Sequence, residues 1–194
     1  MNGLHDEDNN TTPLTSEECE GLIPSHITLR RELNELEQQN ILVADLWAFT
    51  RNRDPLNESF ASGLHRRMFK DVWRWAGTYR GSNKNIGVDR NQIKLRLYEA
   101  FDNAKYWIEH KTFPPDEIAV RLHHTLVFIH PFPNGNGRWS RLMADIIAVR
   151  LGRPRFTWGR NALRTAAENR KAYIEALKAA DNHNLARLTA FSRS

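Results

Sequence analysis

The sequence predicts an all-α domain with one small β-hairpin flap, on two observations. Apolar residues recur at spacings of three and four along most of the chain, the repeat of one helix face. A single segment, Gly77 to Gly87, instead sets closely spaced glycines beside residues that favour extended backbone, and it is the only hairpin candidate.

Residues 1–13 are polar and rich in Asn and Asp, and are expected to be disordered. Thr15-Ser16-Glu17-Glu18 reads as a capping box opening a short helix, which Pro24 stops. Leu29, Leu33, Leu36, Val43, Leu46 and Trp47 mark one helix or two in sequence from Thr28 to about Arg51. Phe60, Leu64, Met68 and Val72 form the stripe of a helix from Leu56 to about Trp75. The hairpin follows, with Ser82, Asn83, Lys84 and Asn85 crowding its middle between Thr78-Tyr79 and Ile86. Helices are predicted over 90–109 and 116–129. The second starts behind Pro114-Pro115, and its Asp116 and Glu117 suit the positive end of the helix dipole. His130 to Gly137 breaks all periodicity. Helix resumes at Arg138, with Trp139, Leu142, Met143 and Ile146 on one face, and ends near Gly152 and Pro154. A last long helix covers about 161–180, and a short one closes the chain.

The 194 residues suit one domain with a terminal extension. Apolar residues are 40% and charged residues 26%, as in an ordinary soluble protein. The net charge of +5 would suit an anionic ligand, but no dense Lys/Arg block, recognition helix or base-stacking sheet points to nucleic acid. Cys19 is the lone cysteine, which excludes an internal disulfide and a zinc–thiolate cluster. The acidic, polar start and the lack of a long apolar stretch predict a cytoplasmic protein with no membrane contact.

The stretch from His130 to Arg141 carries the chemistry. Gly135 and Gly137 flank Asn136 just ahead of a helix, where free N–H groups and the helix dipole make an anion site. Arg138 and Arg141, three apart, project from neighbouring points of the first turn. Two guanidinium groups beside such a nest form a cradle for polyphosphate. His130, at the other lip, can accept a proton. Each feature alone has an ordinary reading: a turn, a helix cap, two solvated arginines. Their joint arrangement around one loop suggests attack by a hydroxyl on a nucleotide.

The same segment resembles the signature of the Fic family, His-x-Phe-x-(Asp/Glu)-Gly-Asn-Gly-Arg-x-x-Arg. It matches at His130, Phe132, Gly135, Asn136, Gly137, Arg138 and Arg141. Trp75 to Arg80 is similar to the family's lead into its target-docking hairpin, and Arg170 with Tyr173 to its C-terminal helix. The block from Thr12 to Asn34 resembles a subgroup called mobile mystery protein B.

The resemblance implies a Fic-type helical bundle, with an N-terminal helical region over 14–54 and a Fic core over 55–194. It implies transfer of AMP from ATP to a Ser, Thr or Tyr hydroxyl of a target protein. His130 would be the base. Gly135, Asn136 and Gly137 would hold the α- and β-phosphates, Arg138 would support them, and Arg141 would contact the γ-phosphate. Phe132 would fix the loop. Residues Gly81, Ser82, Asn83, Lys84, Asn85, Ile86, Gly87 and Val88 would form a flap that docks the target by strand addition. Tyr173 would line the adenine side.

Ser16-x-x-x-Glu20-Gly21 fits the family's inhibitory helix, in which Glu20 would pair with Arg141. The subgroup is associated with a companion helix-turn-helix protein. One position departs from the pattern: Asn134 stands where active members have an acidic Mg²⁺ ligand. An amide oxygen can ligate Mg²⁺ or Mn²⁺ but brings no charge. A protein kinase, another phosphate-linked transferase of the Fic/Doc superfamily and a non-catalytic nucleotide-binding module therefore remain open. Gly137, where the phosphotransferring Doc branch has Lys, favours nucleotide transfer.

Overall fold

The computed structural model describes residues 15–24, 27, 30–50 and 53–194. The expectation for residues 1–13 lies outside them. The described residues form eight α-helices: α1 (Ser16–Glu20), α2 (Arg30–Phe49), α3 (Glu58–Phe69), α4 (Ile93–Glu109), α5 (Pro115–Ile129), α6 (Asn136–Arg150), α7 (Ala166–Asp181) and α8 (Leu185–Arg193).

Local chemistry sets four of the eight helix starts. Thr15 and Glu18 close a capping box on α1, and Thr165 and Glu168 close another on α7. The Asn57 side chain accepts the N–H of Phe60 at 2.8 Å to cap α3. Pro115 opens α5, where its missing N–H costs nothing. Helices α5 and α6 are the centre of the bundle. α5 packs on α4, α6 and α8, and α6 also meets α2 and α3. Leu122, Leu126 and Ile129 of α5 and Trp139, Met143 and Ala144 of α6 are essentially shielded from solvent. The loop joining these two helices is therefore anchored at both ends in the best-packed part of the molecule.

Two expectations need correction. The helix drawn to Trp75 ends at Phe69. Beyond it, the Val72 carbonyl accepts the Ile23 N–H at 2.9 Å, and the Arg74 N–H donates to the Gly21 carbonyl at 2.8 Å. The chain after α1 thus satisfies backbone groups that a longer helix would have used.

The expected β-hairpin over Gly77 to Gly87 is not built as paired strands. Among the described residues the only β pairing is an isolated bridge between Leu22 and Trp73. Side chains replace the ladder. Arg80 donates to the carbonyls of Ser82, at 2.8 Å, and of Val88. Asn83 bonds Asp89 Oδ2 at 2.9 Å and accepts the Arg90 N–H at 2.8 Å. The segment is a compact loop folded around the Arg80 guanidinium.

Candidate active site

Helix α5 ends in a strained residue. His130 is its C-cap, in the left-handed region at φ 53° and ψ 58°. A non-glycine residue there costs about 1 kcal/mol or more and persists only when its surroundings impose it. Arg80 imposes it. Its Nε donates to the His130 carbonyl at 2.7 Å, and its backbone N–H donates to the Pro131 carbonyl at 2.9 Å. Gly87 lies against the histidine so closely that a Cβ there would sit 2.7 Å from His130 Cβ, and its φ is +95°. The loop predicted as a flap therefore covers the proposed base directly.

The imidazole of His130 is only 7% exposed. Burial pushes its pKa down to about 4, with Arg80 and Lys84 adding to the effect and a hydrogen bond to the Val127 backbone opposing it. At neutral pH the ring is uncharged. With one nitrogen donating to a carbonyl, the other carries a lone pair and can accept a proton.

The loop is held from inside. Phe132 is fully buried, with its ring stacked on His65 at a centroid distance of 3.7 Å and meeting Trp139 edge-on at 5.0 Å. The Asn136 side chain accepts the Phe132 N–H at 2.9 Å and donates to the Phe132 carbonyl at 2.8 Å. These two bonds use one lone pair of Oδ1 and one hydrogen of Nδ2, and they fix the Asn136 amide within the loop.

His65 fixes the far side of the loop. Its Nδ1 accepts the Gly77 N–H at 3.0 Å, which puts the ring hydrogen on Nε2, and Nε2 donates to the Asn134 carbonyl at 3.0 Å. Burial lowers the His65 pKa to about 3, which keeps this neutral tautomer.

Helix α6 starts with Gly135 at φ 78° as N-cap and no side-chain capping bond. A Cβ on Gly135 would strike the Phe69 ring at 2.5 Å, so no other residue fits. The first N–H groups of α6 thus meet no side-chain cap and lie at the positive end of the dipole, where an anion is favoured.

Two arginines flank this end. Arg138 Nη1 pairs with Glu37 Oε2 at 2.6 Å. Arg141 Nε donates to the Gly137 carbonyl at 3.1 Å, and its guanidinium lies 5.4 Å from the centre of the Tyr173 ring. Burial lowers the Arg141 pKa from its very high ordinary value, which makes a phosphate partner more welcome there. The Tyr173 hydroxyl meets His123 Nε2 at 3.2 Å, and burial pushes the phenol up to about 12. Tyr173 thus packs beneath Arg141, and its hydroxyl lies close to Gly137.

Asn134 Oδ1 accepts the Gly135 N–H at 2.5 Å. That one neutral oxygen is what the loop offers a cation, and the described residues hold no cluster of three carboxylate, His or Cys side chains fit for a metal. The donor set does not build a charged metal pocket, and no step below passes through a metal.

The structure does not join the expected inhibitory pair. Glu20 is exposed, and its carbonyl accepts Arg74 Nη1 at 3.2 Å. The Trp75 indole donates to the Glu18 carbonyl at 3.0 Å, anchoring α1 on the turn after α3. From α1 it is Glu18 that reaches the flap, pairing with Lys84. Ser16 and Gly21 flank this anchor, and neither is hydrogen-bonded to Arg141. The carboxylate that does engage a motif arginine, Glu37, was missed, as were His65 and His123. All three interrupt apolar helix stripes with a buried polar group, the signal that could have found them.

Residues 55–148 match the model of the Fic/DOC family. A protein adenylyltransferase Fic from Aedes aegypti is 33% identical over 98 residues, which cover 47% of this chain and 19% of that protein. The Drosophila melanogaster protein of the same name is 32% identical over the same length, and the chain spans about 19% of it. Among solved structures, the BepC protein of Bartonella tribocorum with bound AMPPNP is 17% identical. It aligns over 92% of this chain and 97% of that one, with a TM-score of 0.69. Fic-1 of C. elegans is 22% identical and aligns over 90% of this chain and 51% of its own, with a TM-score of 0.68. These two likenesses show the fold. The matched span contains the whole α5–α6 loop, from His130 through Arg141, and residues 55–148 are thus a segment of the Fic/DOC family.

Proposed function

We propose that this chain transfers AMP from ATP to a hydroxyl group of a protein substrate. One observation carries the reading: an uncapped helix start with two arginines and an uncharged buried histidine share a single short loop. The triphosphate would rest on the backbone N–H groups of Asn136 to Arg138, with Arg141 on its terminal phosphate. His130 would take the proton of the substrate hydroxyl. The oxygen would attack the α-phosphorus, the bond to the bridging oxygen would break, and pyrophosphate would leave. The proton stays on His130 until product release, and the net result is a phosphodiester between AMP and the substrate.

The names of the adenylyltransferases matched above support this group over others. Because the chain spans about a fifth of their length, the substrates of those proteins are not carried over. The test compares ATP labelled at the α-phosphate with ATP labelled at the γ-phosphate, for wild type and His130→Ala. Label retained from the α position and lost in the variant supports AMP transfer. Label retained only from the γ position would replace it with phosphate transfer, the reading that Asn134 in the acidic position keeps in play.

A further inference from the structure

A cavity of about 850 Å³ opens between the C-terminal end of α2, helix α3 and the turns that follow α3. No residue of the α5–α6 loop lines it. Four guanidinium groups do: Arg53, Arg66, Arg67 and Arg74. Asp54 is the one carboxylate among the described lining residues. It is already engaged, with Oδ1 accepting the Leu56 N–H at 2.9 Å and Oδ2 lying 3.8 Å from Lys105 Nζ. Among the described residues, Arg66, Arg67 and Arg74 make no ion pair.

Two of the arginines are positioned in advance. Arg53 Nη1 donates to the Trp47 carbonyl at 2.7 Å, and Arg67 Nη1 donates to the Gly63 carbonyl at 3.2 Å. Their guanidinium carbons stand 4.3 and 3.9 Å from the centre of the Trp47 ring. Side chains already ordered in the folded protein lose less entropy when they bind. A concave wall with this charge is complementary to an anion.

The chemistry favours carboxylates over nucleic acid. Phe60 stacks on Trp47 at 5.3 Å, and the two guanidiniums lie over the same indole, so the ring has no open face for a base. Planar guanidinium forks match carboxylates in two-point contact. Location adds to this. Gly77 and Thr78 form part of the wall and lead directly to Arg80 and the loop over His130.

The structure assigns this cleft as the docking site for a carboxylate-rich segment of the protein substrate. The assignment rests on the reading that the loop modifies proteins, and it adds a basis for choosing among them. A chain lying in the cleft could continue along residues 77–88 and present its hydroxyl at His130.

Binding can be read without ATP, by fluorescence anisotropy of a labelled peptide of mixed Asp and Glu against the full chain. Saturable binding that weakens with salt is expected. Arg66→Glu with Arg74→Glu should weaken it about tenfold or more, since each charge-assisted contact is worth a comparable factor. If that variant melts early, Arg66→Gln and Arg74→Gln singly should each weaken binding in a chain that keeps its wild-type melting curve. Equal binding by variants and wild type overturns the assignment. So does single-stranded DNA that displaces the peptide at lower concentration. Failure of AMP transfer with peptide binding intact would remove only the proposed reaction, and transfer without peptide binding would remove only the cleft.

Discussion

Glu37 of α2 and Arg138 of α6 meet at 2.6 Å, joining the N-terminal half of the chain to the first turn of α6. Glu37 is 4% exposed, and its other oxygen accepts the Trp73 indole N–H at 2.7 Å. One carboxylate thus satisfies two donors from different parts of the fold. Glu37→Ala would strand both. Losing one partner of a buried pair costs about 3–5 kcal/mol, but the Arg138 side chain is 32% exposed, so water softens the loss to about 2 kcal/mol. Glu37→Gln keeps the shape and the indole bond and should cost about 1 kcal/mol. Urea unfolding with an unchanged m-value checks both figures; a neutral Glu37→Ala would show that the pair contributes nothing.

This pair also marks what the sequence withheld. Helix periodicity gave the eight-helix architecture because Leu122, Leu126 and Ile129, or Trp139 and Met143, have no other way to leave water. The loop was legible because glycines, arginines and a histidine rarely serve packing at that spacing. The choice between Glu20 and Glu37 was not legible. Both are acids in helical segments, and only the placement of α1 on Trp75 and of α2 along α6 decides which one meets an arginine. The hairpin failed for a similar reason. Extended propensity at Thr78-Tyr79 and Ile86 is local, whereas the Arg80 side chain that folds the segment acts through carbonyls brought together in space.

His65 should act as a positioning residue for the loop. It bridges the Gly77 N–H and the Asn134 carbonyl, both at 3.0 Å, and stacks on Phe132. His65→Leu keeps the volume but orphans both backbone groups, a loss of about 2–4 kcal/mol. In the proposed reaction kcat should fall further than KM rises, because the loop holds His130 as well as the nucleotide. His65→Gln, which retains a donor and an acceptor, should restore part of kcat. A variant that is less stable but turns over at the wild-type rate would make His65 purely structural.

Acid should unfold this protein through its buried histidines. Burial holds His65 and His123 at about 3 and His130 at about 4, against an ordinary 6.5. The unfolded chain therefore binds protons that the native chain excludes. The stabilisation is full above the ordinary value and is lost as pH falls toward the native values. Each group costs about 1.4 kcal/mol per pH unit across that window. Melting temperature should stay level above neutrality and drop steeply below about pH 6. His65→Gln should flatten the drop by one proton's worth, measured as the slope of unfolding free energy against pH. An unchanged slope would mean that His65 titrates normally.

Asn134→Asp tests whether the neutral loop limits the reaction. Asn134 Oδ1 already accepts the Gly135 N–H at 2.5 Å, and an aspartate oxygen can keep that bond. The substitution adds a negative charge beside the proposed triphosphate site without changing the backbone. Alone, that charge repels the nucleotide, so without divalent cation ATP should bind more weakly than to wild type. With Mg²⁺ the sign reverses, because a carboxylate is a far better ligand for a hard cation than an amide. AMP transfer should then rise about tenfold and become steeply dependent on Mg²⁺ concentration. Calorimetric titration of ATP with and without Mg²⁺ separates binding from rate. If Mg²⁺ fails to reverse the effect of the charge, the side chain at this position does not face the phosphates, and His130, Arg141 and the α6 amides would have to carry the proposed reaction without a loop-bound cation.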